Sequence, residues 1–112
     1  MSSLCVYNSL LRIDGQSGVP PIPYECPNQN LDLWVLELPS NNQDVSYWSS
    51  EVSKILENQA VFLQTKKDKG CNITLFVETN GKLGVFSLHH SFIKLLVRME
   101  ISLEYYAVIT SP

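Results

Sequence analysis

The sequence predicts an α+β fold: two layers, with one mostly antiparallel sheet of about five strands and two helices packed on one of its faces. Three observations carry this. Apolar residues alternate with period two in several short runs. Two other stretches repeat them near every 3.6 residues. Each of those helical stretches is apolar on a single face, so neither is sandwiched between layers. The order along the chain is β-β-α-β-β-α-β, in a single domain over residues 1–112.

The first strand covers Ser3 to Ile13, with Leu4, Val6 and Leu10 on one phase and Cys5, Tyr7, Leu11 and Ile13 on the other. Neither phase is clean, which points to a strand covered on both sides or to a bulge near Asn8-Ser9. Asp14-Gly15 ends it. The segment from Gln16 to Asn30 carries Gly18 and Pro20, Pro21, Pro23 and Pro27. Proline fixes φ and lacks a donor, so neither helix nor central strand runs through it. Tyr24 is the residue able to pin this long loop to the body of the domain.

Leu31 to Leu38 is the second strand, stopped by Pro39. Asp44 or Ser46 is placed to cap a long helix whose apolar face is Val45, Trp48, Val52, Ile55, Leu56, Gln59 or Ala60, Phe62 and Leu63. Lys66, Lys67 and Lys69 crowd its C-terminus, where the helix dipole favours them, and Gly70 is the stop. Ile73, Leu75 and Val77 then alternate with Asn72, Thr74, Phe76 and Glu78. Asn80-Gly81 suits a type I′ hairpin turn, returning as a partner strand from Lys82 to Phe86. Ser87 is positioned to cap a second helix with Leu88, Phe92, Leu95, Leu96 and Met99 on one face. The last strand, Ile101 to Ile109, becomes apolar on both faces toward its end, which predicts a central position. If the helix before it joins parallel strands, the crossover is right-handed.

Composition narrows the function. A hydrophobic fraction of 45% with 17% charged residues is that of a folded domain. A net charge of -3 and a pI near 5.2 argue against sequence-independent nucleic-acid binding, which needs a basic surface. No apolar run reaches membrane-spanning length and no basic-then-apolar leader is visible, so a cytoplasmic location is expected. Cys5, Cys26 and Cys71 are odd in number and widely spaced, the pattern of buried thiols and not of a disulfide framework or zinc site. Asn72-Ile73-Thr74 matches a glycosylation acceptor but lies in a strand.

Catalytic motifs are absent: there is no phosphate loop, nucleophile elbow or HExxH. His89 and His90 are adjacent, so on a helix they point about 100 degrees apart and are ill placed to chelate one metal. Glu37 and Glu104 would serve acid–base chemistry only if their strands were neighbours. No cofactor or metal is expected.

If both helices cover one face of the sheet, the other face carries Trp34, Phe76, Phe86, Tyr106 and Val108. That surface would be too apolar for open solvent. The proline-rich loop with Tyr24, a second copy of the chain or another protein would have to cover it. A homodimer is one expected outcome. A heterologous partner is the other, and an acidic surface favours a basic one.

The pattern of Leu10-Leu11-Arg12-Ile13-Asp14-Gly15, Leu33-Trp34-Val35-Leu36-Glu37, the amphipathic helix ending in Lys-Gly, Ile73 to Val77, the Ser87-initiated helix and Ile101-Ser102-Leu103-Glu104-Tyr105 resembles a family of small bacterial proteins defined as a domain of unknown function. That family has a helix after the first strand, where this chain has the proline-rich segment. The resemblance extends to immunity-like proteins near toxin genes and to products of mobile gene cassettes, which implies a role in binding. The expected function is therefore a protein-interaction module, with an immunity-type toxin inhibitor as its sharpest form. A small-molecule binder using a pocket between the 16–30 loop and the sheet is the alternative. An enzyme built on His89 and His90 comes third.

Overall fold

The computed structural model describes residues 5–15, 19–27, 32–81 and 88–109. Two long strands, β1 (Cys5–Asp14) and β4 (Asn72–Gly81), pair antiparallel and form its middle. On the other side of β1 run β2 (Leu33–Glu37) and the two-residue β3 (Gln43–Asp44), both antiparallel to it. Beyond β4 lies β5 (Ser102–Ile109), parallel to it, so the described residues form a five-stranded sheet of order β2-β1-β4-β5, with β3 beside β1 off this path. The fold is α+β and the sheet is mostly antiparallel, as the sequence predicts.

Among the described residues three helices, not two, pack on this sheet: α1 (Val45–Asn58), α2 (Ala60–Asp68) and α3 (His90–Arg98). The predicted long helix breaks at Gln59, whose backbone sits at φ -97, ψ 5. Glu57, Asn58 and Gln59 bury little there, so helical continuity gains nothing from packing. After the break Phe62 stands 5.1 Å from the Tyr24 ring and 6.5 Å from Trp34.

The bulge expected in the first strand is present. Val6 pairs with Thr79 but Asn8 pairs with Glu78, so Tyr7 is the extra residue. Asn80 and Gly81 do not form the expected hairpin turn: they continue β4 and pair with Val108 and Ile109. Two residues with positive φ do occur together at Asn41 and Asn42, φ 43 and 57, bridged by a Gln43 N–H to Ser40 carbonyl bond of 2.8 Å. That is the signature of a type I′ turn, placed between β2 and β3. The partner strand predicted at Lys82 to Phe86 lies outside the described residues, as does the Ser87 cap. The cap observed for α3 is His89, whose Nδ1 accepts from the Ser91 amide at 3.2 Å. Asp44 caps α1, accepting from the Tyr47 amide at 2.8 Å.

The last strand is an edge strand among the described residues, not a central one. Its link to β4 runs through α3, which returns the chain parallel to β4 on the side away from β1. Leu103 and Tyr106 are exposed there, at 38% and 52%, while Tyr105 packs against the core.

One core lies between sheet and helices. Leu11, Ile13, Leu36, Ile73, Leu75 and Val77 meet Trp48, Val52 and Leu56 of α1, Leu63 of α2 and Phe92, Leu95 and Leu96 of α3. Trp48 meets Phe92 edge-on at 5.6 Å. Its indole N–H donates to the Ser9 hydroxyl at 2.8 Å. Ser9 reaches Ser40 at 2.8 Å, and Ser40 donates to the Leu38 carbonyl at 3.1 Å. This relay lets a polar residue sit in the core under α1.

Two helices end in the same way. After α2, Gly70 at φ 85 donates to Lys67 and Cys71 to Lys66; after α3, Glu100 at φ 56 donates to Val97 and Ile101 to Leu96. Both are Schellman motifs, which favour glycine at the left-handed position. Glu100→Gly is therefore expected to stabilise the fold by about 0.5–1 kcal/mol. Its exposed contact with Lys67, 3.8 Å long, contributes little against that. A urea unfolding midpoint checks it.

Candidate functional site

Strand pairing sorts every sheet residue onto one face or the other. The face away from the helices reads across the strands in rows. One row is Glu37, Leu10, Phe76, Glu104; a second is Glu25, Val35, Arg12, Thr74, Ser102; a third is Asn8, Glu78, Tyr106. Its centre is apolar, with Phe76 and Tyr106 in ring contact at 5.1 Å. Its margins are carboxylates.

The bulge shapes one of those margins. It turns both Tyr7 and Asn8 toward Glu78, whose carboxylate accepts from the Tyr7 hydroxyl at 2.8 Å and the Asn8 amide at 2.7 Å. The hydrogen bond to Glu78 raises the Tyr7 pKa. Among the described residues Arg12 is the basic residue on this face, and its Nε lies 3.3 Å from the Asp14 carboxylate. Glu25 and Glu37 are exposed and have no ionic partner among the described residues.

The proline-rich loop frames the surface on the β2 side. Glu25 and Val35 exchange both backbone hydrogen bonds at 2.8 Å, extending the sheet by one residue beyond β2. The alternation this imposes sends Glu25 to the open face and Tyr24 to the helix side. A concavity of about 400 Å³ results, with Glu25 and Pro27 on one side, Leu10, Leu33, Val35 and Phe76 as its apolar surface, and Arg12 and Glu37 beside them.

The sequence-predicted residues divide accordingly. Phe76 and Tyr106 are on the open face and touch. Trp34 is not: it is 5% exposed on the helix side, stacked with Phe62 and under the Lys66 ammonium at 4.7 Å. The reason is phase, since Trp34 shares its face with Leu36 and Leu38, a heavier apolar set than Leu33, Val35 and Glu37. The Trp34 indole N–H is buried with no acceptor among the described residues. Phe86 lies outside the described residues, and the Val108 side chain with it. Tyr24 is buried and pins the loop, donating to Gln59 Oε1 at 3.0 Å. Reasoning from sequence missed Leu10, Arg12, Glu25 and Val35; the signal was that the bulkier phase of the second strand belongs to the core.

Burial pushes the Tyr24 pKa from 10.0 up to about 12. The folded protein thus keeps a proton that the unfolded chain loses first, so stability is full below pH 10 and falls as pH rises toward 12. Tyr24→Phe is expected to remove about 1–2 kcal/mol of that alkaline loss, read as the difference in urea midpoints on either side of pH 10.

The other candidates do not assemble. Glu37 and Glu104 sit on β2 and β5, three strand spacings apart, roughly 14 Å. His89 is committed to capping α3, with Nδ1 also 2.8 Å from the Ser91 hydroxyl, and His90 is exposed. Cys71 is buried, and Cys5 and Cys26 are half-buried. Among the described residues no cluster of His, Cys, Asp and Glu is arranged to hold a metal, and no helix is long and apolar enough to cross a membrane.

Comparison with protein-family models, with curated proteins and with solved structures finds no match to this chain.

Proposed function

We propose that this protein is a binding module whose open sheet face docks the basic surface of another protein, with an immunity-type inhibitor masking a cationic toxin active site as its sharpest form. The observation that carries the reading is the excess of carboxylates around an apolar centre on the open face. On the helices and at their ends Lys54, Lys66, Lys67, Lys69, Lys94 and Arg98 are accompanied by Asp44, Glu51, Glu57, Asp68 and Glu100, so that side is near balance. The open sheet face has Glu25, Glu37, Glu78 and Glu104 around Leu10, Val35, Phe76 and Tyr106, with Arg12 already matched by Asp14. An apolar centre inside a charged margin is the anatomy of a protein-binding surface, and its sign selects a cationic partner.

The same charges weigh between the alternatives. Two copies meeting face to face would set carboxylates against carboxylates, which disfavours a homodimer through this surface. A small-molecule site is expected to enclose most of its ligand, whereas the concavity by the loop is open along the sheet. Selecting random peptides displayed on phage against the folded protein tests the reading without knowledge of the partner. Enrichment of sequences mixing Arg or Lys with apolar residues, lost on a Phe76→Asp counter-target, is the expected result. Enrichment of acidic or purely apolar sequences, or retention by Phe76→Asp, would contradict it.

A further inference from the structure

We infer that the concavity between the Glu25–Pro27 loop and the sheet is an anchor pocket for a single arginine side chain of the partner protein. This rests on the docking reading and goes further, naming which part of the surface discriminates and what it recognises. The chemistry is set by what lines the space. Val35, Leu10 and Phe76 supply an apolar surface suited to the methylene stem of a long side chain. Glu25 and Glu37 stand on either side of it in adjacent rows of the sheet, and neither has an ionic partner among the described residues. Arg12 lines the same space, but Asp14 faces its guanidinium at 3.3 Å.

An incoming group must therefore be cationic at its tip, aliphatic along its length and able to meet two carboxylates and an aromatic ring together. Guanidinium does this better than ammonium. Its planar fork spans two acceptors, it stacks on an aromatic face, and it loses less hydration. The backbone exchange between Glu25 and Val35 holds one wall in register with the sheet, so the two carboxylates are set apart by strand geometry and not by loop chance.

The test titrates the full chain, observed through its backbone amide resonances, with N-acetyl-arginine-methylamide and with its neutral isostere N-acetyl-citrulline-methylamide. At concentrations of about 10 mM, where such weak contacts saturate appreciably, the arginine compound should shift the amides of Leu10, Glu25, Val35, Glu37 and Phe76. The citrulline compound should leave them in place. Glu25→Gln and Glu37→Gln should each weaken binding roughly three- to fivefold, the scale of partly exposed ion pairs, while Val61→Ala, exposed on α2 on the opposite side of the sheet, should not. Equal response to both compounds, shifts confined to other regions, or no response at all would overturn the anchor. Phage-selected peptides separate this from the wider reading. If they lose affinity for Phe76→Asp yet bind Glu25→Gln and Glu37→Gln unchanged, the anchor fails and the docking face stands. If they bind all three unchanged, the docking face itself fails.

Discussion

Trp48→Ala is expected to destabilise the domain by about 3–5 kcal/mol, a large part of the 5–15 kcal/mol that holds a domain of this kind together. Trp48 is 0% exposed and is the side chain through which α1 meets both the sheet and α3. Its removal leaves a cavity against Phe92. It also deprives the Ser9 hydroxyl of the donor it accepts from at 2.8 Å, interrupting a relay that continues to Ser40 and Leu38. Trp48→Phe separates the two effects. It keeps much of the packing and loses the indole donor, so it should cost less than the alanine variant. Ser9→Ala leaves the indole N–H buried and unpaired, at about 1–3 kcal/mol. Urea unfolding followed by circular dichroism should rank the variants Trp48→Ala, then Ser9→Ala and Trp48→Phe. An alanine variant that unfolds with the wild type would mean that α1 is not seated on the sheet through Trp48.

A second pair of substitutions, one residue apart, should behave as opposites. Leu75 is 0% exposed beneath the helices, and Leu75→Asp would bury an unpaired carboxylate, at a cost above about 4 kcal/mol. Phe76 points the other way, half-buried beside Tyr106 on the open face. Phe76→Asp should cost about 1–2 kcal/mol and leave the fold in place while abolishing peptide binding, because it sets a charge in the apolar centre of the docking surface. Circular dichroism and a binding titration on both proteins check this. A folded Leu75→Asp, or an unfolded Phe76→Asp, would mean that the two faces are reversed.

Much of the architecture was legible because period and punctuation agree. The alternation of Ile73, Leu75 and Val77 placed β4, the Phe92, Leu95 and Leu96 spacing placed α3, and Asp44 and Gly70 marked the start of α1 and the stop of α2. The unclean phases around Asn8-Ser9 left two readings open, a strand covered on both sides or a bulge, and the register shift between Val6 and Asn8 decides for the bulge. What failed was information that adjacent residues do not hold. Whether Asn80-Gly81 turns or continues depends on β5, which pairs with it from almost thirty residues away. Whether Trp34 faces helices or solvent depends on which phase of β2 the helices choose. Among the described residues β5 lies at the sheet edge, reached by a parallel crossover, while its apolar composition suggested the centre. Glu25 entered the candidate surface only because a single backbone bridge to Val35 carries the loop along the sheet edge, and proline-rich composition gives no register.

The docking surface is tested most directly by mapping a phage-selected basic peptide onto the folded chain through its amide resonances, at low and at physiological salt. The expected result is perturbation centred on Leu10, Val35, Phe76, Glu104 and Tyr106, with affinity falling as salt rises, since the carboxylate margin attracts the peptide through screened charge. Perturbation confined to α1, α2 and α3, or affinity indifferent to salt, would contradict it.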